Sequence, residues 1–140
     1  METCKTYVYF ALTGEDFDPQ KITDRIGINP TESWKKGDNG KYNFDMKYSC
    51  WKLSTLTGKE EIEIDNLVSE IINKLNCKID IINELKIQFN LASRLEIVLD
   101  IDINPIKSTP ALGHDLRTIE FLFLTKTKTD IDIYTYDSTV

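Results

Sequence analysis

The chain has 140 residues, 41% of them hydrophobic and 29% charged, with a formal charge of −6 at neutral pH, which is the length and composition of one ordinary globular domain and excludes a disordered or disulfide-rich chain. The acidic excess is spread over both halves and opposes nonspecific attachment to nucleic acid or to an anionic membrane, both of which require a positive field. Cys4, Cys50 and Cys77 are too few and too scattered for a disulfide framework or a zinc site, and with neither a secretory leader nor an apolar run near the roughly 18 residues of a membrane span, a cytoplasmic chain is expected.

In chain order, "TYVYFALT" at 6–13 is rich in β-branched and aromatic residues and stops at Gly14. It reads as a first strand covered on both faces, and therefore central to a sheet. A short helix follows. Asp18 is placed to cap it, Pro19 takes the first helical position, Ile22 and Ile26 share a face, and Gly27 ends it. Phe17 is spaced to staple onto Ile22, and Pro30 keeps the helix from resuming.

A strand from Ser33 to Lys36, a tight turn at Asn39-Gly40 and a returning strand are expected next. The returning strand sets Tyr42, Phe44, Met46, Tyr48 and Cys50 on one face, and the apolar parity then flips at Trp51 and Leu53. Because strand side chains alternate strictly, the flip predicts a bulge or bend near Cys50 and Trp51. After the loop "TGKEE", Leu67, Val68, Ile71, Ile72 and Leu75 have amphipathic helical spacing behind a cap at Asp65. Ile79, Ile82, Leu85 and Phe89 continue the helical pattern beyond a break or kink at Asn76 and Cys77.

"RLEIVLDIDI" reads as a strand with Leu95, Ile97, Leu99, Ile101 and Ile103 inward and Glu96, Val98, Asp100 and Asp102 outward. Pro105 and Pro110 bracket a loop, Leu116, Ile119 and Phe123 predict a helix behind an Asp115 cap, and "DIDIYTY" closes as a strand. The order β-α-β-β-α-β-α-β predicts a single α+β domain over 1–140. Its sheet is expected to be mixed and mostly antiparallel with helices packed on one face: a ferredoxin-like core with an appended helix and strand.

Four groups of residues invite a functional reading. Asp100, Asp102, Asp130 and Asp132 alternate with isoleucines, which is the pattern of the wet side of a strand, whereas a hard-cation site draws its oxygens from a compact loop or cleft. No metal site is assigned. The stretch "WKKGDNGKYNFDMKYSCWK" mixes five lysines with five aromatics, but strand parity puts Tyr42, Phe44 and Tyr48 opposite Lys41 and Lys47, so no nucleic-acid platform is assigned. His114, the only histidine, precedes a helix without an identifiable second group for acid-base work, so no catalytic residue is assigned. Trp34 and Trp51 flank the hairpin and are the foremost binding candidates beside His114.

"YFALTGEDFDPQKITDRIGINPTESWKKGD", the Trp of "CWKL", "TPALG" and the late "DIDIY" resemble the bacterial proteins grouped as domain of unknown function 4279, over about Tyr7 to Tyr136. The resemblance implies a small bacterial protein and carries no activity or catalytic residues. Two functional expectations result. The first is a noncatalytic binding or interaction module without cofactor, of the immunity type, whose acidic surface meets a protein partner with a basic surface. The alternative is a small-molecule-binding protein or small enzyme with a pocket near Trp34, Trp51 and His114. A homo-oligomer through the sheet face or the terminal strand is a third expectation.

Overall fold

Strand β1 (Tyr7–Gly14) is the middle of a five-stranded sheet of order β2-β3-β1-β4-β5. Its sequence explains the position: Val8, Phe10 and Leu12 alternate with Tyr9 and Ala11, so each face has apolar surface to cover, and all five are buried. The computed structural model describes residues 5–40, 44–57 and 63–139. Within that span β1 is followed by α1 (Pro19–Ile26), β2 (Glu32–Trp34), β3 (Ser49–Ser54), α2 (Ile64–Leu75), α3 (Ile79–Phe89), β4 (Ala92–Asp102), α4 (Leu116–Thr125) and β5 (Lys128–Tyr136). A single 3-10 turn at Asn76–Lys78 separates α2 from α3, where the sequence predicts the break.

β3 runs antiparallel to both β1 and β2, so β1 and β2 are mutually parallel with β3 between them. By the same logic β3 and β4, both antiparallel to β1, are parallel with β1 between them. Two interleaved split βαβ units of this kind are the ferredoxin-like arrangement. β5 then joins β4 in parallel through α4. The expected α+β class and the mostly antiparallel sheet are both present.

The helices lie on one face. Ile22 and Ile26 of α1, Leu67, Ile71 and Leu75 of α2, Ile82 and Leu85 of α3 and Phe121 of α4 share one core with Val8, Phe10, Leu12, Trp51, Leu53, Leu95, Ile97 and Leu99. Phe10 meets Phe121 edge-to-face with ring centres 6.0 Å apart. Each fully buried aliphatic side chain of this core stabilises the fold by roughly 1.5–3 kcal/mol. Gly14 ends β1 under close contact, since a Cβ there would stand 2.9 Å from Leu91 Cδ2.

Helix caps follow the sequence at two of three places. Asp18 accepts from the Gln20 amide at 3.0 Å and Asp115 from the Thr118 amide at 2.8 Å. At α2 the cap position is Glu63, without a side-chain cap bond, and Asp65 falls in the first turn. Ile64 is itself a core residue, so burial begins the helix before Asp65, which still complements the positive helix end.

Other expectations are corrected. The return of the hairpin is not a strand from Tyr42 onward: β3 begins at Ser49, Phe44 is exposed, and Asn39 and Asp45 form only an isolated bridge, with residues 41–43 outside the described ones. Of the expected bulge or bend, no bulge interrupts β3, which pairs one-to-one with β1 from Gly14↔Ser49 to Tyr9↔Ser54, while the chain bends at Lys47 and Tyr48 just before it. The parity flip arises because Cys50 is buried on the second face, beside Tyr9 and Ala11, while Trp51 and Leu53 enter the main core. The loop predicted at "TGKEE" lies outside the described residues from Gly58 onward.

Further corrections concern the C-terminal unit. α4 is a helix, but its inward side is Thr118, Phe121 and Thr125, and the spaced Leu116, Ile119 and Phe123 face outward. On β5, Ile131 and Ile133 occupy the helix-side positions yet are exposed, as is Ile103 just past the end of β4. Periodicity marks a face without saying whether anything covers it.

Candidate binding site on the open sheet face

The side of the sheet away from the helices is built by parity. Tyr9 of β1 sits beside Glu96 of β4, which sits beside Asp130 of β5, and Ala11 links Lys52 of β3 to Arg94 of β4. Glu32 and Trp34 of β2 pair with Lys52 and Cys50. Tyr7, Val98, Asp132 and Tyr134 extend the same side toward the C-terminal ends of β4 and β5.

Tyr9 is the hub of this face. The Lys52 ammonium stands 4.1 Å from the centre of its ring and the Arg94 guanidinium carbon 5.9 Å, both within cation-π range. The Tyr9 hydroxyl accepts from Arg94 Nη2 at 3.3 Å and lies 3.5 Å from Glu96 Oε1, to which it donates. Arg94 Nε is 3.4 Å from the same carboxylate oxygen. Tyr7 stacks on Tyr9 with ring centres 6.1 Å apart.

Glu96 is 5% exposed. Burial pushes its carboxyl pKa above the ordinary glutamate value, and the nearby Asp132 adds to the shift while Arg94 opposes it. Glu96 Oε2, Arg94 Nε and Trp34 Nε1 are buried atoms with no hydrogen-bond partner among the described residues. Buried polar atoms of this kind carry a desolvation cost that a ligand group or water can relieve. Cys50 lies beneath the same face, and burial drives its thiol pKa up to about 11, against the pull of Lys52 and Arg94. A thiol so displaced is a packing group, not a nucleophile.

Hollows mark both ends of the face. One, of about 880 Å³, is bordered by Trp34, Tyr48, Met46 and Lys52; Trp34 and Tyr48 meet edge-to-face at 5.7 Å. The other, of about 410 Å³, is bordered by Tyr7, Val98, Asp100 and Tyr134. Between them the paired residues Glu32, Glu96, Asp100, Asp130 and Asp132 outnumber Lys52, Arg94 and Lys128. The face is therefore aromatic and acidic.

The three residues singled out from the sequence do not share a pocket. Trp51 is wholly buried on the helix side, its indole donating to Thr23 Oγ1 at 3.0 Å. Trp34 is half-buried on the open side of β2, at one edge of the sheet. His114 is half-buried at the entry to α4, its Nε2 2.9 Å from Thr129 Oγ1 of β5, at the other edge. Four strand spacings, roughly 19 Å, separate those edges.

The four aspartates do share the open face, but they form no cage. Asp100 accepts from the Lys5 amide, Asp102 from the Asn104 and Ser138 amides, and Asp130 pairs with Lys128 at 3.6 Å. No group of three or more potential metal ligands is clustered among the described residues. Among those residues no helix is long and apolar enough to cross a membrane. Tyr9, Lys52, Arg94 and Glu96 are the site residues that sequence reading missed. Their one signal was the Arg-x-Glu spacing, which puts both charges on one side of a strand whose neighbour had been expected to be covered on both faces.

A five-stranded α+β sheet with helices on one side and an aromatic, charged second side is thus the class of this protein. The chain belongs to the family described as Domain of unknown function (DUF4279), whose model matches residues 2–136. Neither the curated proteins nor the solved structures contain a match.

Proposed function

We propose that this is a noncatalytic binding module of the bacterial cytoplasm that receives a basic protein segment on its open sheet face, in the manner of an immunity-type protein. The observation that carries the reading is the composition of the accessible part of that face: Tyr7, Tyr134 and Trp34, interleaved with Glu32, Asp100, Asp130 and Asp132. Aromatic rings attract cations through their faces and carboxylates through charge, so Lys or Arg side chains gain from both. The same acids repel phosphate, which speaks against nucleic acid. Steering by the net charge of −6 would make association fast and sensitive to salt.

The test is an amide chemical-shift titration of the full chain with a nona-arginine peptide, at low and at high salt. Perturbations confined to the open side of β1, β3, β4 and β5, weakened by Asp130→Asn with Asp132→Asn, support the reading. Shifts scattered over helices and sheet alike, or none, dismiss it.

A second reading rests on the hollow beside Trp34, whose buried Nε1 has no partner among the described residues. It is a small-molecule site that uses Trp34 and Tyr48 without Trp51 or His114. A donor such as Nε1 calls for an acceptor on the ligand. Saturable quenching of Trp34 fluorescence by a small molecule, with no response to the arginine peptide, would favour it over the first.

A further inference from the structure

The two carboxyl oxygens of Glu96 have unequal surroundings. Oε1 accepts from the Tyr9 hydroxyl at 3.5 Å and lies 3.4 Å from Arg94 Nε. Oε2 is buried and meets no donor among the described residues. An ionised carboxylate is an acceptor at both oxygens, whereas a neutral carboxyl carries its own O–H. Enclosure with one oxygen undonated, in a side chain only 5% exposed, therefore favours the neutral form.

The groups that face Glu96 come from four strands, the helices lying on the other side of the sheet. β1 supplies Tyr9 in direct register and Tyr7 two residues before it; β4 supplies Arg94. From β3, Lys52 is held over the Tyr9 ring and 3.6 Å from Glu32 of β2. β5 supplies Asp130 in direct register and Asp132 two residues on. These two acids differ. Asp130 is half-buried and 3.6 Å from Lys128, which offsets its charge, whereas Asp132 is exposed and makes neither ion pair nor hydrogen bond among the described residues. Burial first, and Asp132 next, hold the proton on Glu96. Tyr7, Val98 and Asp132 form the adjoining row across β1, β4 and β5, and Tyr134 follows on the same side of β5. The hollow of about 410 Å³ lies against Tyr7, Val98 and Tyr134; Lys5 borders it too, its amide bonded to Asp100.

We propose that Asp132, with Tyr7 and Tyr134 beside it, seats one cationic side chain of the basic ligand, and that seating this cation releases a proton from Glu96 in the adjoining row. The inference rests on the basic-segment reading above and adds to it the anchor and its linked proton. A guanidinium or ammonium beside Asp132 offsets the charge that kept Glu96 neutral, while the tyrosine rings attract the same cation. The Glu96 O–H bond then breaks, its proton passes to solvent, and the carboxylate left behind adds its own attraction for the cation. Coupling between two binding events is reciprocal, so the proton acts on the ligand as the ligand acts on the proton. Affinity for a basic segment rises as pH rises through the Glu96 titration and falls with acidification.

Two measurements on the full chain test this. Carbon-13 shifts of the side-chain carboxyls in the free protein follow Glu96 directly: its midpoint should lie above that of an ordinary glutamate, and Asp132→Asn should lower it. Calorimetric titration with the nona-arginine peptide follows the linkage. It is run in a His114→Gln background, which removes the one side chain of a type that ordinarily titrates between the two pH values chosen, about 5.5 and about 7.5. Both lie above the ordinary aspartate pKa of about 3.9. Binding should be roughly three- to tenfold tighter at the higher pH, tenfold corresponding to a displacement of about one pKa unit by the ligand. At the lower pH, buffers of different ionisation enthalpy should report a released proton. Glu96→Gln, which keeps the shape and cannot ionise, should release none and bind at both pH values with about the affinity of the parent at the lower one. A Glu96 midpoint indifferent to Asp132→Asn, peptide binding indifferent to pH, or a pH dependence that survives Glu96→Gln overturns the inference and leaves the basic-segment reading standing. Absence of peptide binding at both pH values removes the two together.

Discussion

The Lys52 ammonium and the Tyr9 ring stand 4.1 Å apart, on neighbouring strands at the centre of the helix-free face. The contact makes Tyr9 a junction: a cation over its ring, and Arg94 and Glu96 at its hydroxyl. Tyr9→Phe keeps the ring and removes the junction's polar end, so it should lower unfolding free energy by about 1 kcal/mol, whereas Tyr9→Ala should cost about 3–5 kcal/mol. Urea denaturation of the two variants separates hydroxyl from ring, and equal costs would show that the hydroxyl network stabilises nothing.

Trp34 and Trp51 should differ sharply. Trp51→Ala opens a cavity in the main core and should cost about 3–5 kcal/mol, while truncating half-buried Trp34 should cost well under half of that. In Trp34→Phe the remaining indole should emit at short wavelength and resist acrylamide quenching, as a wholly buried ring does. Emission like that of free tryptophan would contradict the placement of Trp51.

Glu96 should give the fold a pH dependence of known sign. Its folded pKa lies above the ordinary 4.5, chiefly through burial and then through Asp132, so the folded state holds the proton more tightly than the unfolded chain. Its contribution is therefore most favourable below pH 4.5 and falls as pH rises through the folded pKa. Glu96→Gln cannot ionise. The melting temperature of the parent relative to this variant should be highest near pH 4 and decline toward pH 7. A flat or rising difference would refute the assignment.

Cys50 and Cys77 should part in reactivity. Cys77 is exposed, whereas the Cys50 thiol is buried with its pKa raised to about 11. In a Cys4→Ser background one thiol should react promptly with a disulfide reagent at pH 8, and the second only at the rate of unfolding. Two prompt equivalents would remove Cys50 from the interior.

Lys86 holds the C-terminal end of α4 in place. Its ammonium donates to Ser93 Oγ at 2.7 Å and to the Thr125 carbonyl at 2.6 Å, joining α3, β4 and the last turn of α4. Lys86→Met keeps the stem and removes these bonds, and should cost about 2 kcal/mol, the range for hydrogen bonds to a charged group. Amide exchange should quicken in α4 first. Unchanged protection there would show that the helix end is held by packing alone.

The resemblance to the family was readable in short motifs, and the caps at Asp18 and Asp115, the stop at Gly27 and the break at Asn76 were readable because each is set by neighbours a few residues away. The site was less legible. Trp34 does border a hollow on the open face, but Trp51 and His114 lie elsewhere, because proximity in the hairpin says nothing about which side of a strand a ring takes. Glu96 was read correctly as outward from the helix layer and yet is nearly inaccessible, since Tyr9, Arg94 and the β5 aspartates crowd it from adjacent strands.

Alternation and helical spacing, which depend only on backbone geometry, determined from sequence that this chain would build a mostly antiparallel α+β sheet with Leu95, Ile97 and Leu99 turned inward. Tertiary structure alone decided which faces stay uncovered. Leu116, Ile119, Phe123, Ile131 and Ile133 repeat as regularly as any core residue and still meet solvent, because no further helix or strand reaches the β5 edge among the described residues. Periodicity states how side chains are shared between two sides; only the packing of distant segments settles which side is filled.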